Sequence, residues 1–107
     1  MSEEVINRIK NEIEHNKIVI FMKGTPEAPR CGFSAASVEI FKSFPYPFKG
    51  VDILSDLEIR ETLPDYSDWP TFPQIFIDGK LVGGCDILHE MRDSGELAQV
   101  LKEAFGK

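Results

Sequence analysis

Cys31 and Cys85 are the two cysteines of the chain, and their settings differ. Cys31 follows a Gly- and Pro-rich stretch, Gly24-Thr25-Pro26-Glu27-Ala28-Pro29, and precedes Gly32, where a helical pattern begins. A thiol at a helix start faces unpaired N–H groups and the positive end of the helix dipole. Both favour the thiolate, the form that attacks and that binds metal. Lys23, at the end of the preceding apolar run, can add a positive charge nearby. A lone cysteine is more commonly a small buried hydrophobe, but the polar, loop-rich surroundings here favour a reactive thiol. Ser34 stands where a Cys-x-x-Cys pair would carry its second sulfur. An oxidised Cys31 must therefore pair with an outside thiol, or with Cys85 if the fold brings it close. Ser34 also suits a helix cap.

The elements that must position these residues follow from spacing. Val5, Ile6, Ile9 and Ile13 recur with helical period over Glu3 to Asn16, with Ser2 as the expected cap. Ile18-Val19-Ile20-Phe21-Met22, between lysines, reads as a central strand buried on both faces. Residues 24–29 read as loop. A second helix runs from Gly32, with Ala36, Val38, Ile40, Phe41 and Phe44 apolar, and stops before Pro45 and Pro47. Phe48 to Ile53 reads as a strand. Asp56 to Tyr66 reads as a helix with Leu57, Ile59 and Leu63 inward and Pro64 distorting its end. Trp69 to Pro73 is a proline-fixed loop. Gln74 to Ile77 and Lys80 to Val82 flank Asp78-Gly79, a strong hairpin signal. Two closing helices span Asp86 to Arg92 and Glu96 to Phe105. The order α-β-α-β-α-β-β-α-α predicts an α/β fold, a four-stranded mixed sheet flanked by helices.

Bulk properties narrow the classes. With 107 residues, the chain is read as one domain over residues 1–107. A net charge of −6 does not suit binding along a phosphate backbone, so nucleic acid is set aside. No apolar run of about 18 residues exists to span a membrane. The start Met1-Ser2-Glu3-Glu4 is acidic, unlike a signal or transit peptide, so a cytoplasmic protein is expected. Cysteine is too sparse for a secreted disulfide scaffold. Cys31, Cys85, His15 and His89 lack the paired spacing of a structural zinc site, and both histidines read as surface or packing residues.

Four segments in order, Lys23-Gly24-Thr25-Pro26, Cys31-Gly32-Phe33-Ser34, Trp69-Pro70-Thr71-Phe72-Pro73-Gln74 and Gly83-Gly84-Cys85-Asp86, resemble the signature segments of the monothiol (CGFS-type) glutaredoxins. The resemblance covers essentially the whole chain and implies a thioredoxin-like fold with Pro73 as a cis-proline beside the thiol. It implies that Cys31 is both the catalytic thiol and the metal ligand. It also implies a glutathione site, with Lys23 and Arg60 meeting the glycine carboxylate, and the backbone of Phe72 pairing with the peptide. The N–H groups of Cys85 and Asp86 would meet the second carboxylate, and the Asp86 side chain the amine. Read by themselves, Lys23 and Arg60 also suit solvated surface charges, Asp86 a helix cap, Cys85 packing, and Trp69, Thr71 and Phe72 core or turn positions.

The resemblance further implies a [2Fe-2S] cluster shared by two subunits, two Cys31 thiolates and two glutathione thiols completing its four ligands. The function so implied is cluster assembly and transfer with redox homeostasis, in a homodimer when cluster-bound. Candidate partners are apo iron–sulfur client proteins and a BolA-like protein. The longer Lys23–Cys31 loop implies at most weak oxidoreductase activity. Two alternatives stand beside this: a glutathione-dependent thiol-disulfide oxidoreductase that removes glutathione from protein thiols, and a cluster-dependent partner-binding module.

Overall fold

In a computed structural model, which describes residues 2–106, the sequence periodicities become two helical layers on one sheet. The first helix, α1 (Glu3–His15), buries Val5, Ile9 and Ile13 on a single face. Ser2 occupies its cap position without a side-chain capping bond; only its carbonyl takes part, accepting from the Ile6 N–H at 3.1 Å. The strand β1 (Ile18–Met22) is buried along its whole length. Ile18, Ile20 and Met22 face one core cluster, and Val19 and Phe21 face the other. This two-sided burial is the reason for its unbroken apolar run.

The stretch expected to be plain loop is a small two-stranded ribbon, β2 (Gly24–Thr25) against β3 (Ala28–Pro29). Its register, Gly24 opposite Pro29 and Thr25 opposite Ala28, folds the segment back so that it delivers Cys31 to the start of α2 (Gly32–Lys42). The helix α2 buries Ser34 and Ser37 along with Val38, Ile40 and Phe41, which explains its untidy apolar pattern. The strand β4 (Lys49–Asp52) then pairs in parallel with β1.

The helix α3 (Leu57–Ser67) is capped by Asp56, whose side chain accepts from the Ile59 N–H. It runs through Pro64 to Ser67, one residue beyond the expected end, and the Pro64 carbonyl closes it by accepting the N–H groups of Asp68 and Trp69. Ile59 and Leu63 point inward as expected, but Leu57 does not: it is 58% exposed, at the first turn.

The hairpin β5 (Gln74–Ile77) and β6 (Lys80–Gly83) completes a sheet of order β4-β1-β5-β6, with β1 antiparallel to β5. The last helices are α4 (Cys85–Ser94) and α5 (Glu96–Phe105). One core packs α1 and α3 on one sheet face, with Ile9, Phe21, Ile53 and Leu63 at its centre. The other packs α2, α4 and α5 on the opposite face, around Met22, Phe41, Leu88 and Leu101. The sheet is mixed, four-stranded and covered on both sides, as the sequence predicts. Among the described residues no helix is long and apolar enough to cross a membrane.

Candidate functional site

The parallel strands β1 and β4 finish side by side at one end of the sheet, Met22 beside Asp52, and there the chain gathers its reactive groups. Lys23 follows β1. Its backbone N–H donates to the Ser34 hydroxyl at 3.1 Å, and its carbonyl accepts from the Arg30 N–H at 2.9 Å. Cys31 is the N-cap residue of α2, with extended backbone, and is half-buried. Its carbonyl accepts from the Ala35 N–H at 2.9 Å. The thiol makes no strict capping bond, yet its charged form is favoured. The Ser34 N–H above all, then the Phe33 N–H, the Lys23 charge and the Ser34 hydroxyl hold it below the usual thiol range. Partial burial pushes the other way.

Ser34 does not cap the helix. It lies inside the first turn, fully buried, and ties the end of β1 to α2. The place of a second sulfur is thus filled by a hydroxyl that is already accepting a hydrogen bond.

Lys23, Cys31, Arg60, Phe72, Cys85 and Asp86 all line one cleft of about 730 Å³. Arg60, exposed on α3, closes one side. The Phe72–Pro73 peptide is cis, as the resemblance implies. On the other side, Gly84 is the N-cap of α4 and Cys85 its first residue. Asp86 therefore stands within the first turn and is not the cap that its type suggests. It is exposed, whereas Cys85 is 6% exposed. Both cysteines are free thiols.

Two features escaped the sequence reading. Phe33, 61% exposed, lies on the cleft rim beside Cys31; its place in the first turn next to the thiol was the available signal. Trp69 lines the cleft, but its indole N–H is buried with no partner among the described residues. The histidines stay outside the cleft. His15 Nδ1 lies 2.8 Å from the Asn11 carbonyl, and His89 Nδ1 lies 3.2 Å from Arg92. Among the described residues, no three His, Cys, Asp or Glu side chains converge as a metal site within one chain.

A mixed four-stranded sheet with a thiol at a helix start beside a cis-proline defines a thioredoxin-like protein. The comparisons agree and go further. A family model described as Glutaredoxin matches residues 18–82. The chain is 52% identical over 94 residues to probable monothiol glutaredoxin 2 of Rickettsia conorii, with 88% of each chain covered. It is 49% identical over 104 residues to glutaredoxin 4 of Haemophilus ducreyi, with 97% of each covered. The solution structure of reduced poplar apo GrxS14 superposes with a TM-score of 0.85 at 44% identity, covering 96% of this chain and 94% of that one. The chain belongs to the glutaredoxin family, in its monothiol class.

Proposed function

We propose that the cleft binds glutathione, and that Cys31 together with glutathione carries a [2Fe-2S] cluster between proteins. The observation that carries the reading is one favoured thiolate, without a second thiol at Ser34, in a cleft bounded by Lys23 and Arg60 on one side and the α4 N-terminus on the other. Glutathione is an extended peptide with two carboxylates and an amine. Lys23 and Arg60 suit one carboxylate, and the N–H groups of Cys85 and Asp86 suit the other. The Asp86 carboxylate suits the amine, and the Phe72 backbone suits pairing with the peptide.

The donor set also fits the cluster as cargo. Thiolate is the ligand that iron–sulfur clusters take, four to a cluster. One chain offers one thiol that is both half-buried and activated, since Cys85 is buried. Two copies of Cys31 and two glutathione thiols complete the four, which makes the holo form a homodimer with two exchangeable ligands. Bound there, the cluster is a transferable unit of iron and sulfide for apo client proteins or a BolA-like partner. A cytoplasmic setting keeps the thiols reduced.

Anaerobic reconstitution with iron, sulfide and glutathione, followed by size exclusion and visible absorbance, tests the reading. A coloured dimer that requires glutathione is expected. Cys31→Ser abolishes it, and Cys85→Ser keeps most of it. Retained colour and iron in Cys31→Ser would sink the ligand assignment.

The favoured thiolate also supports the second reading, deglutathionylation. Cys31 would attack a glutathione mixed disulfide, releasing the protein thiol and becoming glutathionylated; free glutathione would then release it as oxidised glutathione. A colourless monomer that turns over such a disulfide would favour this reading.

A further inference from the structure

Asp52, the last residue of β4, stands outside the cleft lining, yet its carboxylate faces the loop that delivers the thiol. Oδ1 accepts from the Gly24 N–H at 2.9 Å and from the Leu54 N–H at 2.9 Å. Oδ2 accepts from the Ser55 hydroxyl at 2.6 Å. The Gly24 N–H belongs to the peptide that joins Lys23 to Gly24. The carbonyl of that same peptide accepts from Arg30, and the Lys23 N–H donates to Ser34. The backbone that roots the Lys23 side chain is therefore held by three partners, Arg30, Ser34 and Asp52, and Asp52 is the anionic one.

The ribbon that follows is fitted closely onto β4. Gly24 has a φ of +89°, and a Cβ there would lie 2.5 Å from the Ala28 carbonyl oxygen. A Cβ on Gly50 would lie 2.5 Å from Pro26 Cγ and 2.6 Å from its Cδ. Pro26 therefore rests on the bare backbone of Gly50, two residues before Asp52. One turn of chain later comes Cys31. A charge-assisted bond of this kind holds a backbone more strongly than a neutral one, and a cleft needs its charged groups placed to within about 0.5 Å.

We infer that Asp52 is a positioning residue for the cleft: it fastens the Gly24–Pro29 ribbon to β4 and so sets where Lys23 stands relative to Cys31. Its role in glutathione affinity rests on the reading above; its role in the Lys23–Cys31 spacing does not. Asp52→Ala frees the ribbon. Asp52→Asn keeps an acceptor for both N–H groups and restores it. Ser55→Ala removes only the Oδ2 partner and leaves the spacing alone.

The test compares alkylation of Cys31 by iodoacetate and by iodoacetamide, in a Cys85→Ser background, at fixed pH. Both rates scale with the thiolate fraction, so their ratio reports the electrostatic potential at the sulfur. Measured against Asp52→Asn, which loses the same carboxylate charge, Asp52→Ala lowers the ratio about threefold, as a displaced lysine charge would, and Ser55→Ala keeps the parent value. Glutathione titration followed by amide NMR shows about tenfold weaker binding in Asp52→Ala alone. Gly50→Ala, whose Cβ would press on Pro26 and, at 2.9 Å, on the flexible Met22 Sδ but not on Asp52, lowers the same ratio, and adding Pro26→Ala recovers most of it. This pair decides the matter if Asp52→Ala fails to fold by circular dichroism. A folded Asp52→Ala with the same ratio as Asp52→Asn, or an unchanged ratio in Gly50→Ala, overturns the inference. If the parent protein does not bind glutathione, the functional reading falls while the alkylation ratio still judges Asp52.

Discussion

Replacing Ser34 by Ala should both destabilise the protein and blunt its thiol. The Ser34 side chain is fully buried, and its hydroxyl accepts from the Lys23 N–H at 3.1 Å. Alanine keeps the helix but leaves that N–H without its acceptor. An unpaired buried donor costs about 1–3 kcal/mol, so about 2 kcal/mol is expected. For a domain of this size that lowers the thermal midpoint by about 10 °C. The same change removes one of the groups that favour the Cys31 thiolate. The pH profile of Cys31 alkylation should therefore move to higher pH: slower reaction in the neutral range, and equal rates once both proteins are fully ionised. Urea or thermal unfolding measures the first effect and stopped alkylation the second. A midpoint within about 2 °C of the parent, with superimposed pH profiles, would refute the assignment of Ser34 as the link between β1, α2 and the thiol.

Other consequences can be checked independently. Lys23→Ala and Arg60→Ala each weaken glutathione binding about tenfold, and added salt narrows the gap because these charges face solvent; calorimetry at two ionic strengths reads it. Asp52 is held below the usual carboxylate range by the Ser55 hydroxyl and by the N–H groups of Leu54 and Gly24. Burial pushes Asp56 up, but Arg8 and the Ile59 N–H outweigh it and leave it lowered as well. Both carboxyls bind protons more weakly in the folded state, so their stabilisation is complete above about pH 4 and is lost as pH falls below it. Thermal midpoints should drop between about pH 4 and pH 2, less steeply in Asp52→Asn. Leu88→Ala, at a fully buried site in the core beneath α4, should cost about 2–5 kcal/mol by denaturant unfolding.

Much of the architecture was legible because local pattern and burial coincide. The five-residue run of β1 is apolar throughout because helices cover both its faces, and the Asp78-Gly79 turn lies where two short strands must reverse. Five of the six candidate site residues lie in the four signature segments, with Arg60 outside them on α3, and the fold brings all six to one cleft. Less legible were features that depend on distant neighbours. Leu57 reads as core by spacing, but it sits at the exposed first turn of α3. Pro64 reads as distorting the end of α3, yet the helix continues to Ser67 and the Pro64 carbonyl closes it by accepting from Asp68 and Trp69. Asp86 reads as a cap, but Gly84 takes that place.

By itself, then, the sequence determined the class of fold, the place of Cys31 at the start of α2 and, through its four signature segments, the family resemblance. The first two follow from periodicity and from glycine and proline placement, the last from residue identity in those segments. Only the tertiary structure decided how the thiol is set. The loop before Cys31 becomes a ribbon because Asp52 and Gly50, far along the chain, supply a carboxylate and a bare backbone to receive it. Ser34 becomes a buried acceptor because β1 ends against it. Hydrogen bonds and close packing between segments remote in sequence leave no local periodicity, and so appear only once the chain has folded.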